Sequence, residues 1–525
     1  MYHEPSGPPG GPGDKRLSQA EQLLECATAA VPFSSTHGQA CVSLPLGPDG
    51  QQVFPLRSAR FRDWLVNRFY SQYELPPDDR SLRQALRTLE ARAHCSGQRL
   101  PVERRIAAVG PGSHPTQPAG RLVLDLANDQ GEVVEITGDA WQVAPGANVY
   151  FRHSRGKLSL PRPAQTADPP AQLDALRSCL NLASEAPNQP GPSRRSGWLR
   201  CLAWLLAALR PTGPYPILIL NGPPGSAKST AARLLRALVD PSTAPLCSLP
   251  SNERELLTLA WHAWVLAFDH VARISPRLSS ALCRLSTGNG FGLRERYDER
   301  EALRFHLQRP IILTVPINGR PDFTPRPDLA ARALTVELPP IQPEHRRTEA
   351  DLWSDFEQAR PGLLGALCTA LSAALRGAPP GPGATRLQTL PFFADAAAWA
   401  VAAAPALGVS QDEMLAALAP APPKPADPVV LALCDFIRDR SDWAGPATEL
   451  LALLQPAAGA AWPRTPKGLS QHLIKLAPSL EAAGVRIELS QSHGRRRIKV
   501  AHLHPPSATP NVSRPQNQSL GDAVS

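Results

Sequence analysis

This 525-residue chain has no cysteine pattern of the kind that builds a metal centre. Its nine cysteines are scattered, no two are spaced as C-x-x-C, and no histidine pair completes a zinc site. We therefore expect no zinc centre. The odd number of widely spaced thiols fits a reducing cytoplasm.

Long apolar segments are also missing. The longest apolar run near the middle, "WLRCLAWLLAAL", carries Arg200 and is too short to cross a bilayer. The stretch "MYHEPSGPPGGPGDKR" lacks the apolar region of a signal peptide. We expect a soluble cytoplasmic protein with no membrane partner.

Lysine is scarce, because only seven of the 55 basic residues are lysines. The formal charge of +9 permits an anionic partner without requiring one. Apolar residues make up 42% of the chain, so most of it can fold, and many of the 59 prolines cluster in segments typical of linkers.

Composition and periodicity predict several domains. The segments are disordered residues 1–16, a mixed α/β region 17–160, a linker and loop 161–197, an α/β core with a mostly parallel sheet 198–345, a helical region 346–418, a Pro-rich hinge 419–427, a winged-helix-like domain 428–504 and a disordered tail 505–525.

The segment "LILNGPPGSAKST" carries the most specific motif of the sequence. A buried strand precedes it, a helix follows it, and residues 222–229 match G-x-x-x-x-G-K-[ST] except that Ala227 replaces the last glycine. Such a loop cradles nucleotide phosphates with backbone N–H groups and a helix N-terminus. An alanine is tolerable at position 227 if its φ is negative. The residues that we expect to bind ATP here are Gly222, Pro223, Pro224, Gly225, Ser226, Ala227, Lys228, Ser229 and Thr230.

A second apolar run, "WVLAFDH", ends in Asp269, about forty residues after Lys228. We expect Lys228 to neutralise phosphate charge, and Ser229 and Asp269 to hold Mg²⁺. The alternative for Asp269 is a turn residue at a strand end. P-loop enzymes that hydrolyse ATP usually carry a second acidic residue directly after this aspartate, but His270 occupies that position. Thr314 and Asn318, around the end of the strand 311–315, are candidates to sense the γ-phosphate.

Five segments in this order resemble the ATPase domain of AAA+ superfamily 3 helicases, in particular the poxvirus- and phage-type primase-helicases, and ATP-binding proteins of prophages and integrative elements. They are "GPPGSAKST", "LAFDH", "LCRLSTGNGFGLRERYDE", "RPIILTVPIN" and "RPDLAARALTVELPPI". The resemblance implies an AAA+-like α/β P-loop core with a helical lid.

The same resemblance implies a ring, usually a hexamer, and assigns roles to three arginines. Arg332 would reach the ATP of a neighbouring subunit, and a hairpin with Arg294 and Arg296 would face a central DNA channel. The alternatives are a surface charge for Arg332 and solvated hairpin charges for the other two. Ala227, His270 and the displaced sensor asparagine depart from the family pattern, which bears on hydrolysis more than on binding.

The C-terminal unit has three helical patterns followed by a strand pair around a polar turn, a winged-helix pattern. Its basic residues predict DNA contacts, although such domains also act as protein adaptors. The candidates are Lys467, Lys475, Arg495, Arg496 and Arg497.

In the N-terminal region, Asp125 and Asp129 lack a histidine partner at a spacing typical of a primase, so we interpret them as strand-turn acids. The amphipathic helices predicted for 58–73 and 81–94 carry arginines that either contact DNA or a partner, or are simply solvated.

Taken together, the sequence predicts an ATPase that uses Mg²⁺, acts on DNA in the replication of a phage or integrative element, and works as a homo-oligomer, with other replication proteins as further partners. The alternatives are a nucleotide-dependent DNA-binding switch or loader, and an adaptor in which ATP is structural.

Overall fold

The computed structural model describes most of the chain as two compact units that divide after residue 420, inside the predicted hinge. The described residues are 17–46, 50–110, 120–146, 149–154, 156–182, 194–288, 291–294, 302–305, 307–316, 326–377, 393–419, 428–438, 440, 442–454, 462–463, 465–482, 484–492 and 495–502. The predicted disordered ends, most of the hinge, Asn318 and Arg296 lie outside these residues.

The chain opens with a layer of three helices on a four-stranded sheet of order β3-β2-β1-β4. Ser58 and Asp78 cap the two longer helices, whose apolar faces bury Phe61, Leu65 and Leu89 against the sheet. These helices agree with the sequence prediction. The elements are α1 (Gln19–Cys26), β1 (Val31–Ser35), β2 (Ala40–Leu46), β3 (Gly50–Pro55), α2 (Ala59–Tyr73), α3 (Asp79–Cys95) and β4 (Arg99–Leu100).

A second antiparallel sheet of order β6-β7-β8-β9 follows, with a short parallel pair of β5 and β10 beside it. Apolar runs at 102–109, 121–127 and 131–136 predict strands, and β5 to β8 lie within them, whereas β9 and β10 were not predicted. The strands are β5 (Val102–Glu103), β6 (Ile106–Val109), β7 (Arg121–Asp125), β8 (Glu132–Ile136), β9 (Trp141–Pro145) and β10 (Tyr150–Phe151).

The predicted linker 161–197 contains a helix that packs into the core. Asp168 caps this helix, prolines stand in its first turn, and Leu173 and Leu176 are buried. Because the segment is rich in proline, its composition indicated a linker and not this helix of three turns. It is α4 (Pro169–Cys179), and the next helix, α5 (Arg194–Ala208), begins before the predicted linker ends.

The predicted core is a parallel sheet of order β12-β15-β11-β16 with helices around it. Its central strands are mostly apolar and buried, as expected for strands covered on both faces. The elements are β11 (Ile217–Gly222), α6 (Lys228–Val239), α7 (Glu253–His262), β12 (Leu266–Phe268), α8 (Pro276–Thr287), β13 (Phe291–Arg294), β14 (Ala302–Phe305), β15 (Ile311–Pro316), α9 (Pro327–Ala330) and β16 (Ala333–Glu337).

A helical layer completes the first unit. One hydrophobic core joins residues of the sheet β6 to β9, the parallel sheet and these helices, so the predicted region boundaries are not breaks in packing. A short 3₁₀ turn, Pro343–His345, precedes this layer and another, Ala404–Leu407, lies within it. The helices are α10 (Glu349–Gly377), α11 (Ala394–Ala403) and α12 (Gln411–Leu418).

The second unit has its own core of apolar side chains, centred on Leu433, Leu473 and Ile498. Its three strands form an antiparallel sheet of order β17-β19-β18. The three predicted helices and the strand pair are present, and β17 is an addition. The elements are α13 (Pro428–Arg438), β17 (Asp442–Pro446), α14 (Ala447–Leu453), α15 (Pro466–Ala482), β18 (Val485–Ser492) and β19 (Arg495–His502).

Candidate functional site

The motif at 222–229 connects the central strand β11 to the N-terminus of α6. A helix leaves the N–H groups of its first turn without intrahelical partners. The residue before the first turn, Ala227, offers no side-chain hydrogen bond to these groups. The loop therefore presents backbone donors and the positive end of a helix dipole at the carboxyl edge of a parallel sheet, an arrangement suited to an anion.

Two glycines give this loop its shape. A methyl group on Gly222 would collide with the carbonyl oxygen of Leu338 and with Oγ of Ser226, so the loop needs glycine for close packing. Gly225 has φ of +76°, which favours glycine, and nothing lies within 4 Å of where its Cβ would be.

Ala227 differs from the sequence expectation. Its φ is +59°, not negative, so it occupies the left-handed region that the missing glycine of the motif would adopt without strain. Residue 227 therefore has the backbone conformation that a glycine would favour, although the residue is an alanine.

Lys228 folds back over its own loop. Its Nζ donates hydrogen bonds to the carbonyl oxygen of Pro223 at 2.7 Å and to Oγ of Ser226 at 3.2 Å. Burial lowers the pKa of Lys228, and Asp269 nearby offsets part of that effect. These are neutral acceptors, so an anion in the loop would offer the ammonium group a stronger partner.

Asp269 meets the start of α6 because β12 and β11 both flank β15 in parallel. The Ser229 hydroxyl donates to Oδ1 of Asp269 at 2.8 Å, and the Thr314 hydroxyl donates to the same oxygen at 2.5 Å. The structure thus brings together two of the residues expected to hold Mg²⁺.

Thr314, one of the two sensor candidates, is buried beneath Asp269 and its hydroxyl also accepts the backbone N–H of His270 at 2.8 Å. Its contacts orient the carboxylate and do not leave its hydroxyl exposed. His270 is exposed and has φ of +55°, so the position after Asp269 is a strained turn at the sheet edge.

Arg332 lies at the amino-terminal end of the parallel strands, opposite the end that carries the loop. It precedes β16, whose first residue, Ala333, pairs with Ile217 at the start of β11, whereas Gly222 ends that strand. The two ends of β11 are five residues apart in the strand, which corresponds to about 17 Å. Arg332 Nη1 donates to the carbonyl oxygen of Asp328 at 2.7 Å. This position excludes a direct contact of Arg332 with the loop of its own chain.

Two residues that the sequence did not single out support the site. Asn181 Nδ2 donates to the carbonyl oxygens of Pro339, at 2.5 Å, and Ser226, at 3.3 Å, which fixes the loop from behind. The carbonyl oxygen of Cys247 accepts the backbone N–H of Asp269 at 2.9 Å. Both contacts are long-range, and neither residue belongs to a local motif.

The donor set fits Mg²⁺ in its chemistry. Magnesium prefers oxygen ligands and is commonly held by one or two protein groups together with substrate phosphates and water. Ser229 and Asp269 supply a hydroxyl and a carboxylate. Within the described residues there is no group of three or more His, Cys, Asp or Glu side chains that would form an all-protein metal cage.

The predicted DNA-binding residues fall in two places. The strands β13 and β14 pair as an antiparallel hairpin, and Arg294 stands at the end of β13. In the second unit, Lys467 is exposed at the start of α15 and Lys475 lies further along that helix, while Arg495, Arg496 and the exposed Arg497 begin β19.

Comparison with known families gives the broad assignment. Residues 195–410 match the family described as "Actinomycete integrative conjugative element replication protein", and residues 429–514 match the "AICE RepA C-terminal domain". The family matched is that of the AICE RepA replication proteins. The first match contains the 222–229 loop, Asp269 and Arg332, and the second contains the basic strand β19. The expectation of a mobile-element replication protein is thereby confirmed at the level of the family.

Similarity to solved structures is weak. The C-terminal region of NrS-1 in its apo form covers 91% of this chain and 99% of its own length, with 8% identity and a TM-score of 0.38. The JCV helicase covers 33% of this chain and 53% of its own, with 13% identity and a TM-score of 0.21. No curated protein matches. Likeness at this level does not assign a function.

The described helices include none that is both long enough and apolar enough to cross a membrane.

Proposed function

We propose that the chain is an ATPase that binds ATP with Mg²⁺ at the 222–229 loop and acts on DNA during replication of an integrative conjugative element. The observation that carries the proposal is the hydrogen bond of 2.8 Å between Ser229 and Asp269. It lies beside a loop whose shape depends on glycines and beside the N-terminus of a helix. Each part has a separate physical task in holding a triphosphate.

The loop supplies the phosphate cradle. The backbone N–H groups at the start of α6 donate to phosphate oxygens, and Gly222 and Gly225 keep side chains out of the cradle. Lys228 exchanges the carbonyl oxygen of Pro223 for a phosphate oxygen, which is the stronger acceptor because it is charged.

Ser229 and Asp269 hold the metal. When bound, Mg²⁺ neutralises charge on the phosphate oxygens and orients them. Thr314 keeps Asp269 in place through its hydroxyl, so the carboxylate stays aimed toward the helix start.

The action on DNA and the assembly rest on the family and on charge. The resemblance to AAA+ superfamily 3 helicases and the match to AICE RepA support a homo-oligomer in which Arg332 serves the neighbouring subunit. The hairpin with Arg294 and Arg296 would face DNA. The order of elements in the second unit supports a winged-helix domain, with Lys467, Lys475 and Arg495 to Arg497 toward phosphates.

One observation favours a second candidate, a nucleotide-dependent DNA-binding switch or loader without processive unwinding. His270, not an acid, follows Asp269 and is exposed in a strained conformation. A site without a second carboxylate would bind ATP well and hydrolyse it slowly. An adaptor with structural ATP would lack DNA dependence altogether.

The test is steady-state ATP hydrolysis with and without single- and double-stranded DNA, beside direct measurement of ATP affinity. For Lys228→Ala we expect ATP binding weaker by roughly 30-fold or more, since a charge-assisted hydrogen bond contributes about 2 kcal/mol. Arg233→Ala removes a cation from the same helix that pairs with Glu349 instead, and should leave ATP affinity unchanged.

The outcomes separate the candidates. DNA-stimulated turnover that Lys228→Ala removes supports the ATPase. ATP-dependent DNA binding with negligible turnover supports the switch. Unchanged ATP affinity in Lys228→Ala would refute the site itself.

A further inference from the structure

The first unit contains a cavity with an excess of positive charge, separate from the loop at 222–229. It has a volume of about 180 Å³ and lies between the N-terminal region and the parallel sheet. We refer to it as the arginine cavity. Its polar lining includes Arg104, Arg152, Lys157, Arg236 and Asp240, and Leu259, Trp264 and Val265 form an apolar wall.

Three guanidinium groups of this lining bond only neutral oxygens or rings in the described structure. Arg104 donates to the carbonyl oxygen of Trp261 at 2.7 and 2.9 Å. Arg236 donates to main-chain carbonyl oxygens, the shortest contact being 2.7 Å to Pro245. Arg152 has one long hydrogen bond, 3.4 Å to Oε1 of Gln39, and lies 5.7 Å from the centre of the Trp261 ring.

The nearby carboxylates are already engaged. Asp240 pairs with Arg105 at 2.9 Å through Oδ1, and its Oδ2 accepts the backbone N–H groups of Trp264 and Val265. Asp125 pairs with Lys157. Asp240 also attracts Arg236 and Arg104, but its Oδ1 is already bonded to Arg105, so one carboxylate is shared among several guanidinium groups.

The remaining acid is insufficient to balance the three arginines. Glu103 adjoins Arg104, but it is shared with the buried Arg309, and burial raises its pKa. Burial lowers the pKa of Arg104 most, and repulsion from Arg309 and Arg152 lowers it further, while Glu103 and Asp240 offset part of the effect. Unpaired charge in such a place is costly unless an anion joins it.

We propose that the arginine cavity binds a small oxyanion of the phosphate class. Guanidinium groups match phosphate oxygens in planar, two-point contacts. A volume of 180 Å³ is equivalent to roughly six water molecules. It is below the roughly 300 Å³ at which pockets for larger ligands begin, so its size suits a phosphate or pyrophosphate.

The site is distinct from the ATP site in its residues, since the lining of the arginine cavity includes none of residues 222–229. Its wall nevertheless belongs to the same sheet, because Leu266 and Ala267 of β12 line it and Asp269 follows that strand.

The experiment is calorimetric titration of inorganic pyrophosphate into the full chain carrying Lys228→Ala, which removes the phosphate-binding lysine of the loop. We expect one remaining site, weakened at least tenfold by adding Arg152→Gln and unaffected by adding Arg121→Gln. Arg121, on β7, pairs with Glu135 of β8 and is not in the cavity lining.

A second measurement covers the case in which Arg152→Gln disturbs folding. Hydrogen exchange with and without pyrophosphate, on the chain with Lys228→Ala alone, should show added protection within residues 152–157 and 240–247. No pyrophosphate binding in this chain, equal affinities for the two arginine variants, or protection confined to other segments would overturn the proposal. Because Lys228 is absent throughout, these results do not depend on whether the loop binds ATP.

Discussion

Thr314 and Asp269 are joined by a hydrogen bond of 2.5 Å between Oγ1 and Oδ1, across the neighbouring ends of β15 and β12. The same threonine oxygen accepts the backbone N–H of His270. One buried hydroxyl therefore fixes both the acid that would hold Mg²⁺ and the residue after it. Changes at position 270 can then alter the chemistry of the site without moving Asp269.

His270→Glu tests whether the missing second acid limits hydrolysis. A carboxylate at this exposed position would polarise the attacking water, and general-base catalysis contributes roughly 100-fold or more. We expect the rate of ATP hydrolysis at saturating ATP to rise at least tenfold, with ATP affinity unchanged. His262→Glu, on α7, is the control. An unchanged rate would show that another group or another step limits turnover.

Ala227→Gly tests the strain at the start of α6. A non-glycine residue in the left-handed region is disfavoured by about 1–2 kcal/mol, and glycine loses part of this advantage through its greater unfolded-state freedom. We expect a gain of about 0.5–1 kcal/mol in the free energy of unfolding, measured by urea titration.

The control for this gain is Ala237→Gly in the last turn of α6, where the same change should cost up to about 1 kcal/mol. A loss of stability at both positions would show that the alanine at 227 is not strained.

Arg332 should act between subunits. Because it lies at the edge of the sheet opposite its own loop, Arg332→Ala should leave ATP binding intact and lower the hydrolysis rate by roughly 1,000-fold. Mixing inactive Arg332→Ala with inactive Lys228→Ala should restore activity, since a mixed assembly contains interfaces with one intact loop and one intact arginine.

Arg284→Ala, whose side chain pairs with Glu253, is the matched control for Arg332→Ala and should retain activity. Failure of the mixture to recover activity, when both variants assemble, would contradict a role in trans.

The basic strand β19 should provide phosphate contacts. Replacing Arg495, Arg496 and Arg497 with Ala should weaken DNA binding and reduce the slope of log K against log salt by about 2–3, because each lost phosphate contact removes about 0.9. Arg438→Ala, which removes an exposed arginine paired with Asp435 on α13, should leave the slope unchanged. An unaltered slope for the triple variant would place the DNA contacts elsewhere.

Several elements were predictable because their signals are local. The helices α2 and α3 have apolar residues at helical spacing and polar caps, and the strand-turn-helix around Lys228 combines an apolar run, glycines and a helix former. The helix α4 was not predicted, because prolines that begin a helix also occur in linkers. The left-handed φ of Ala227 was likewise hidden, since residue identity favoured the opposite sign.

The sequence by itself determined the local pieces of the site: the loop with its two glycines, the lysine and serine that begin α6, and the acid at the end of β12. Only the tertiary structure decided how these pieces meet. Parallel pairing of β11 and β12 with β15 brings Ser229 within 2.8 Å of Asp269. Pairing of β11 with β16 places Arg332 at the opposite end of the strands. Strand order depends on contacts between residues far apart in the chain, so it cannot be predicted from local periodicity.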